Sequence, residues 1–247
     1  MEHTMRPRRV LCGVVVLVFL YEWITISEPR PAPVSKSSLP YVVIMYSHQR
    51  DDHIIVKTID SILRETDADI HVWGYLPHNN NPRVHNHKPI TTQYHNAVDL
   101  LSDTMVPRWV GDKKHHKAVR DDVNRVRWRS RVVLDAWATL TRAQLLFPDK
   151  RIVWIENDVI LKPSFTKKVP LPGDGGFLSC YLPHQKVPVY VGSGAVCLMF
   201  GRDYDFSLLL GYHLVEPLDW ILYRSIKEDV EAFDGAIHTR HTSTFTY

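Results

Sequence analysis

Arg151-Ile152-Val153-Trp154-Ile155-Glu156-Asn157-Asp158-Val159-Ile160-Leu161-Lys162-Pro163-Ser164-Phe165 is the stretch whose reading decides the fold. Ile152 to Ile155 is an apolar run of β-branched and aromatic residues, the pattern of a strand buried on both faces. It stops at two carboxylates and an amide. In an open α/β sheet, ligands bind at the carboxyl ends of the strands. Glu156 and Asp158 are two residues apart, so continued strand geometry would put both on one face, able to direct oxygen ligands at a hard cation such as Mn2+ or Mg2+. A diphosphate is the expected cargo of such a cation. The competing reading is that acidic residues end a strand because the chain has reached water. The triplet alone leaves both open.

Its surroundings add direction. Arg125 to Phe147 contains neither Gly nor Pro, and Val132, Val133, Ala136, Trp137, Leu140, Ala143, Leu146 and Phe147 mark an apolar helical face. Pro148 and Asp149 turn the chain into the strand. Nearer the N-terminus, Tyr41 to Tyr46 reads as a buried strand, Ser47 to Asp52 as a polar loop, Ile54 to Leu63 as an amphipathic helix and Ile70 to Tyr75 as a second strand. This β-α-β opening predicts an α/β fold, Rossmann-like, with a mixed but mainly parallel central sheet flanked by helices. The loop after the first strand carries Ser47 and Arg50 to the same sheet edge as the triplet. There Arg50 suits a phosphate or a nucleobase, or else is a solvated loop arginine.

Leu76 to Pro89, rich in Asn, His and Pro, predicts an irregular loop. The spacing of His78, His85 and His87 matches no zinc site, and they read as exposed loop histidines. The basic tract from Lys113 through Arg131 is interrupted by Asp121 and Asp122 and predicts a mostly solvated helix face, with Arg129 among those able to reach a diphosphate. No aromatic-interleaved basic patch points to nucleic acid. Further on, Leu171 to Gly176 predicts a turn, Phe177 to Leu182 a strand, and Pro188 to Phe200 a second apolar stretch. Within that stretch Gly192, Ser193 and Gly194 would let backbone approach a ligand closely, or else mark a bulge or hairpin turn. Asp203 to Leu210 and Glu216 to Leu222 predict helices, with Asp219 in the first turn of the latter or at its cap. Ile237 to Phe245 has no periodicity.

The chain has 247 residues, 45% of them hydrophobic, enough for one large domain or two small ones, and a net charge of +3 selects no partner. Arg6, Arg8 and Arg9 precede an apolar run from Val10 to Ile26, which as a helix would be roughly 25 Å long, suiting a thin membrane. Either a cleaved signal peptide or an uncleaved anchor fits. The lack of alanine at Thr25-Ile26-Ser27 and the interfacial Tyr21, Glu22 and Trp23 favour the anchor. The expected organisation is a cytosolic tail at 1–9, a transmembrane signal anchor at 10–26, a Pro- and Ser-rich stem at 27–40 and a lumenal domain at 41–247. Cys180 and Cys197 each fall in a strand-like run, and a disulfide and two buried free thiols are both compatible with that placement. There is no Asn-x-Ser/Thr sequon.

Taken together, this order of elements resembles a type II Golgi glycosyltransferase with the GT-A fold, and more narrowly the N-acetylglucosaminyltransferase IV group and its relative, the post-GPI-attachment GalNAc transferase. The resemblance runs from about Tyr41 to the end. It is carried by the arginine-rich helix and strand leading to Glu156-Asn157-Asp158-Val159-Ile160, similar to that group's Glu-Asp-Asp-(Ile/Val)-(Ile/Val). It also rests on the Gly-rich strand at Gly192 to Phe200, the Pro217 to Leu222 run, and His238 to Thr244, similar to a terminal His-x-Gly-x-x-Ser-Ser. Asn157 departs from the acidic triplet and Arg240 from the terminal glycine. This chain is shorter than either relative and has no extra transmembrane hairpin.

The resemblance implies a single inverting displacement. Glu156 and Asp158 would hold Mn2+ (or Mg2+) on the diphosphate of a UDP-sugar carrying GlcNAc or GalNAc, with His238 a further ligand to metal or diphosphate. Asp219 would be the base for an acceptor hydroxyl, with Glu216 second. Ser47, Arg50, Arg129, Asn157, Gly192, Ser193 and Gly194 would contact substrate. The acceptor would be a glycan or a GPI glycolipid, and the protein would be a single-pass type II protein of the Golgi or endoplasmic reticulum membrane. Two other functions fit the same residues: a glycan-binding relative without turnover, and a metal-dependent phosphoester hydrolase.

Overall fold

The computed structural model describes residues 36–47, 52–77, 83–87, 123–163, 165, 169–181, 195–210, 216–224 and 235–238, all within one compact unit that begins at Ser35. The expected tail, the anchor at 10–26 and most of the stem lie outside them. Among the described residues no helix is long and apolar enough to cross a membrane.

Strand β1 (Tyr41–Ser47) leads through helix α1 (Asp52–Glu65) to β2 (Ile70–Gly74) and β3 (Val84–His87). Helix α2 (Val123–Leu146) then feeds β4 (Arg151–Glu156) and the short β5 (Val159–Leu161). The remainder comprises β6 (Phe177–Ser179), β7 (Cys197–Phe200), a 3-10 turn (Phe206–Leu210), α3 (Leu218–Arg224) and β8 (Ala236–His238). The central sheet has the order β3-β2-β1-β4-β7-β6. Its first four strands run parallel, and β7 and β6 complete it antiparallel. A mixed, mainly parallel sheet of this kind is Rossmann-like, as the β-α-β opening predicts. A separate two-stranded sheet joins β5 to β8.

Alternation along the strands sorts their side chains onto two faces. Val43, Met45, Ile70, Val72, Val153 and Ile155 pack in one core with Ile55, Ile59 and Ile62 of α1. Burial of each isoleucine stabilises by roughly 1.5–3 kcal/mol, well above the cost of about 0.7 kcal/mol or less for such a residue in a helix. Tertiary packing therefore holds α1. The opposite face carries Tyr46, His71 and Trp154, and α2 reaches it through Asp135, which accepts a hydrogen bond from Tyr46, and Phe147 at its end, which meets the ring of His71. At the edge of β2, Gly74 has φ +110, and a Cβ there would lie 2.1 Å from the carbonyl oxygen of Ser47. Glycine is required where the ends of β1 and β2 come this close.

Three expectations change. Residues 36–40, placed in the stem, are docked. Asp69 accepts hydrogen bonds from the backbone N–H groups of Lys36 and Ser37 at 2.9 and 3.2 Å, and Lys150 Nζ donates to the carbonyls of Ser37 and Leu39. The stretch 76–89, expected to be irregular, contains β3, and His85 and His87 are half-buried strand residues rather than exposed loop histidines. Ladder bonds to β2 compensate for the missing apolar alternation. The tail, in which no periodicity pointed to an element, begins with β8, since pairing with β5 needs no periodicity of its own.

His85 and His87 pack with His71 of β2. His71 Nδ1 lies 2.8 Å from His87 Nε2, and its ring centroid is 4.9 Å from that of His85 and 4.7 Å from that of Phe147. Burial, together with the repulsion of His87 and then His85, pushes the His71 pKa down to about 3, against a smaller upward pull from Asp69. An unfolded histidine titrates near 6.5, so the native state binds fewer protons between those values and stability falls as pH drops through that window. Denaturant unfolding from pH 7 to pH 4 should show stability falling by up to about 1.4 kcal/mol per pH unit from this group, and His71→Asn should flatten the slope.

Candidate functional site

Parallel pairing of β1 with β4 sets Tyr46 opposite Glu156 and brings both strands to the same edge. Regular strand ends at Glu156, so the alternation that would have put Asp158 on its face does not continue into the turn at Asn157 and Asp158. Glu156 is half-buried, and its N–H donates to the carbonyl of Val196 at 3.1 Å, tying the end of β4 to the approach to β7. Asn157 and Asp158 have no exposed surface. The turn is clasped from two sides. Asn157 Nδ2 donates to Ser47 Oγ at 3.3 Å, and the Asn157 carbonyl accepts from Thr58 Oγ1 of α1 at 2.9 Å. One helical turn further along, Ser61 Oγ accepts from the N–H of Leu161 at 3.1 Å.

The pairing of β5 with β8 brings a residue remote in sequence to this turn. Val159 stands opposite His238, Ile160 opposite Ile237 and Leu161 opposite Ala236, and Lys162 N–H donates to the carbonyl of Gly235 at 2.8 Å. The backbone of His238 thus lies across from the residue that follows Asp158. Carboxylates and an imidazole are residue types that can ligate divalent cations, and here they occur on one turn and on the strand paired beside it. Among the described side chains, which do not include that of His238, no group of three or more His, Cys, Asp and Glu is arranged to hold a metal.

Beneath Glu156 lies a polar network under α2. The Tyr46 hydroxyl donates to Asp135 Oδ2 at 2.5 Å, Arg131 Nε lies 3.9 Å from the same oxygen, and the Tyr46 ring stacks on Trp154 with centroids 5.4 Å apart. Burial first, and then the Asp135 charge, hold the Tyr46 hydroxyl far above its usual pKa, with Glu156 adding to the effect. Tyr46 therefore remains a neutral donor to Asp135 at any physiological pH.

Asp219 is the second residue of α3, half-buried, with Glu216 buried just ahead of it. Burial raises the Asp219 pKa. Hydrogen bonds from the N–H groups of Trp220 and Asp219 and the positive charge of Arg129 oppose the rise. Its carboxylate thus serves the start of α3 as a cap does, and it also lies within electrostatic reach of Arg129, on a helix that packs against α3. The structure brings together Ser47 with Asn157, Asp158 with the backbone of His238, and Arg129 with Asp219. Arg50, Gly192, Ser193 and Gly194 lie outside the described residues.

Sequence reading passed over Tyr46, Thr58 and Asp135. The signal for Asp135 was present: it is a lone carboxylate inside the apolar run Val132-Val133-Leu134-Asp135-Ala136-Trp137, and a carboxylate in such a place needs a partner. Tyr46 and Thr58 carried no comparable mark. No protein-family model matches the chain, and no curated protein matches it either.

Tyr46→Phe keeps the ring stack and removes the donor to buried Asp135. We expect a loss of about 1–3 kcal/mol in chemical denaturation, without loss of secondary structure by circular dichroism; unchanged stability would mean that Asp135 does not depend on this bond.

Proposed function

We propose that this chain is a GT-A-type inverting glycosyltransferase that moves a sugar, GlcNAc or GalNAc, from a UDP-sugar to a hydroxyl of a glycan or glycolipid, a GPI glycolipid among the candidates. The observation that carries this reading is the β5–β8 pairing, which sets His238 beside the turn at Asp158, at the carboxyl end of a central strand. That edge is where α/β sheets bind ligands. Carboxylates followed by a strand and met by a C-terminal histidine match the arrangement that the resemblance implies. In this reading residues 10–26 anchor the protein in the Golgi or endoplasmic reticulum membrane with the catalytic domain in the lumen.

Glu156, Asp158 and His238 would hold Mn2+ or Mg2+, which when bound neutralises negative charge on a departing nucleoside diphosphate. Ser47 and Asn157 shape the floor of the donor site through their mutual hydrogen bond. Asp219 takes the proton of the acceptor hydroxyl, and its raised pKa makes it a stronger base than an ordinary aspartate. Arg129 keeps enough of it ionised to act. Activity should therefore fall with acid at a pH above the usual aspartate range.

The complete burial of Asn157 and Asp158 favours a second reading, a glycan-binding relative without turnover. One experiment separates the two. Purified protein is incubated with labelled UDP-sugars, Mn2+ and a glycan panel; transfer supports the enzyme, and saturable glycan binding with no transfer supports the relative. With an active donor and acceptor identified, Asp219→Asn should retain UDP-sugar binding, lose at least about 100-fold in transfer rate and leave the melting temperature at neutral pH no lower. Undiminished transfer would remove Asp219 as the base.

A further inference from the structure

Cys180 and Cys197 are both buried, with no exposed surface, in the core that also holds Val153, Ile155 and Val159. In the antiparallel pairing of β6 with β7, Ser179 stands opposite Leu198, so the next pair along the ladder is Cys180 and Cys197. The Cys180 N–H donates to the Cys197 carbonyl at 2.9 Å, and the two thiols are themselves hydrogen-bonded. Directly opposed residues of antiparallel strands have Cα atoms about 4.5–5.5 Å apart, inside the range of about 4.4–6.8 Å that a disulfide spans. Both residues are thiols in this structure.

We propose that Cys180 and Cys197 are a disulfide-forming pair whose bond clamps the ends of β6, β7 and β8 beside the acidic turn. The backbone gives the clamp its reach. The carbonyl of Cys180 accepts from Gly235 N–H at 3.1 Å, immediately ahead of the strand that carries His238, and the carbonyl of Val196, next to Cys197, accepts from Glu156 N–H at 3.1 Å. A covalent bond between the two strands therefore restrains the backbone anchors of both Glu156 and β8.

The chemistry is thiol–disulfide exchange. One thiolate attacks a sulfur of a small-molecule disulfide such as oxidised glutathione, releasing one reduced glutathione, and the second thiolate then displaces the other. The protein loses two protons and two electrons, and the oxidant becomes two thiols. Burial pushes the Cys180 thiol up and shields both sulfurs, so the bond forms while the chain folds in an oxidising compartment rather than after the core has closed.

The test does not depend on any catalytic activity. Full-length protein is unfolded, refolded in a mixture of reduced and oxidised glutathione, alkylated without reduction and mapped as peptides. The expected result is a Cys180–Cys197 linked peptide, two hydrogens lighter than its reduced form, and a melting temperature that falls by roughly 5–10 °C on reduction. A Cys180→Ala/Cys197→Ala double variant should melt at the same temperature with and without reductant. Two freely alkylated thiols, glutathione retained on either one, linkage of either to Cys12, the third cysteine of the chain, or a linked pair whose reduction leaves melting unchanged would each overturn the proposal.

Discussion

The parallel ladder between β1 and β4 is the constraint on which the rest depends. These strands are far apart in sequence, and their register runs unbroken from Tyr41 opposite Arg151 to Tyr46 opposite Glu156. Shifting it by one residue would turn Val153 and Ile155 from the α1 core toward α2 and bring Trp154 and Glu156 into an apolar interior. The apolar runs on both strands make such a slip costly. Because the register holds, Tyr46 lies level with Glu156, Ser47 can meet Asn157, and the edge of the sheet acquires its polar character in one place.

Polar groups at that edge are buried, and local hydrogen bonds meet part of their bonding capacity. Thr58 and Ser61, both on the inner face of α1, serve the carbonyl of Asn157 and the N–H of Leu161, while Asp135 is served by Tyr46 and faces Arg131. Such a group left unmatched costs about twice what a satisfied bond contributes. The arrangement of α1 and α2 around the end of β4 is thus dictated by its polar atoms as much as by its apolar ones. Asn157 suits this enclosure, since its amide donates to Ser47 without placing another charge in the buried turn.

Local pattern carried the fold a long way. The run Ile152 to Ile155, the apolar stripe after Arg125 and the alternation of strand and helix from Tyr41 to Tyr75 each specify a structure by short-range periodicity, and the elements found there differ from expectation only at their ends. Periodicity is silent where stability comes from a partner. β3 is built of Val84-His85-Asn86-His87 and is held by its ladder to β2 and by imidazole packing, so nothing in its composition distinguishes it from the polar loop around it. β8 gave no signal for the same reason. At the site, Glu156, Asp158 and Asp219 could be singled out because carboxylates beside apolar runs are conspicuous. The adjacency of Arg129 and Asp219, and of His238 and Asp158, arises from tertiary pairing across long stretches of chain, and sequence order could not supply it.

In the proposed function, the turn after β4 grips a cation and a nucleotide. Titration calorimetry of UDP into the protein tests it directly, with and without Mn2+, using the native chain and the near-isosteric Asp158→Asn. The account predicts saturable heat only when Mn2+ is present, lost in the variant while its melting temperature stays close to that of the native protein. UDP binding of equal strength without Mn2+ or in the variant, or none in the native chain under any of these conditions, would contradict it.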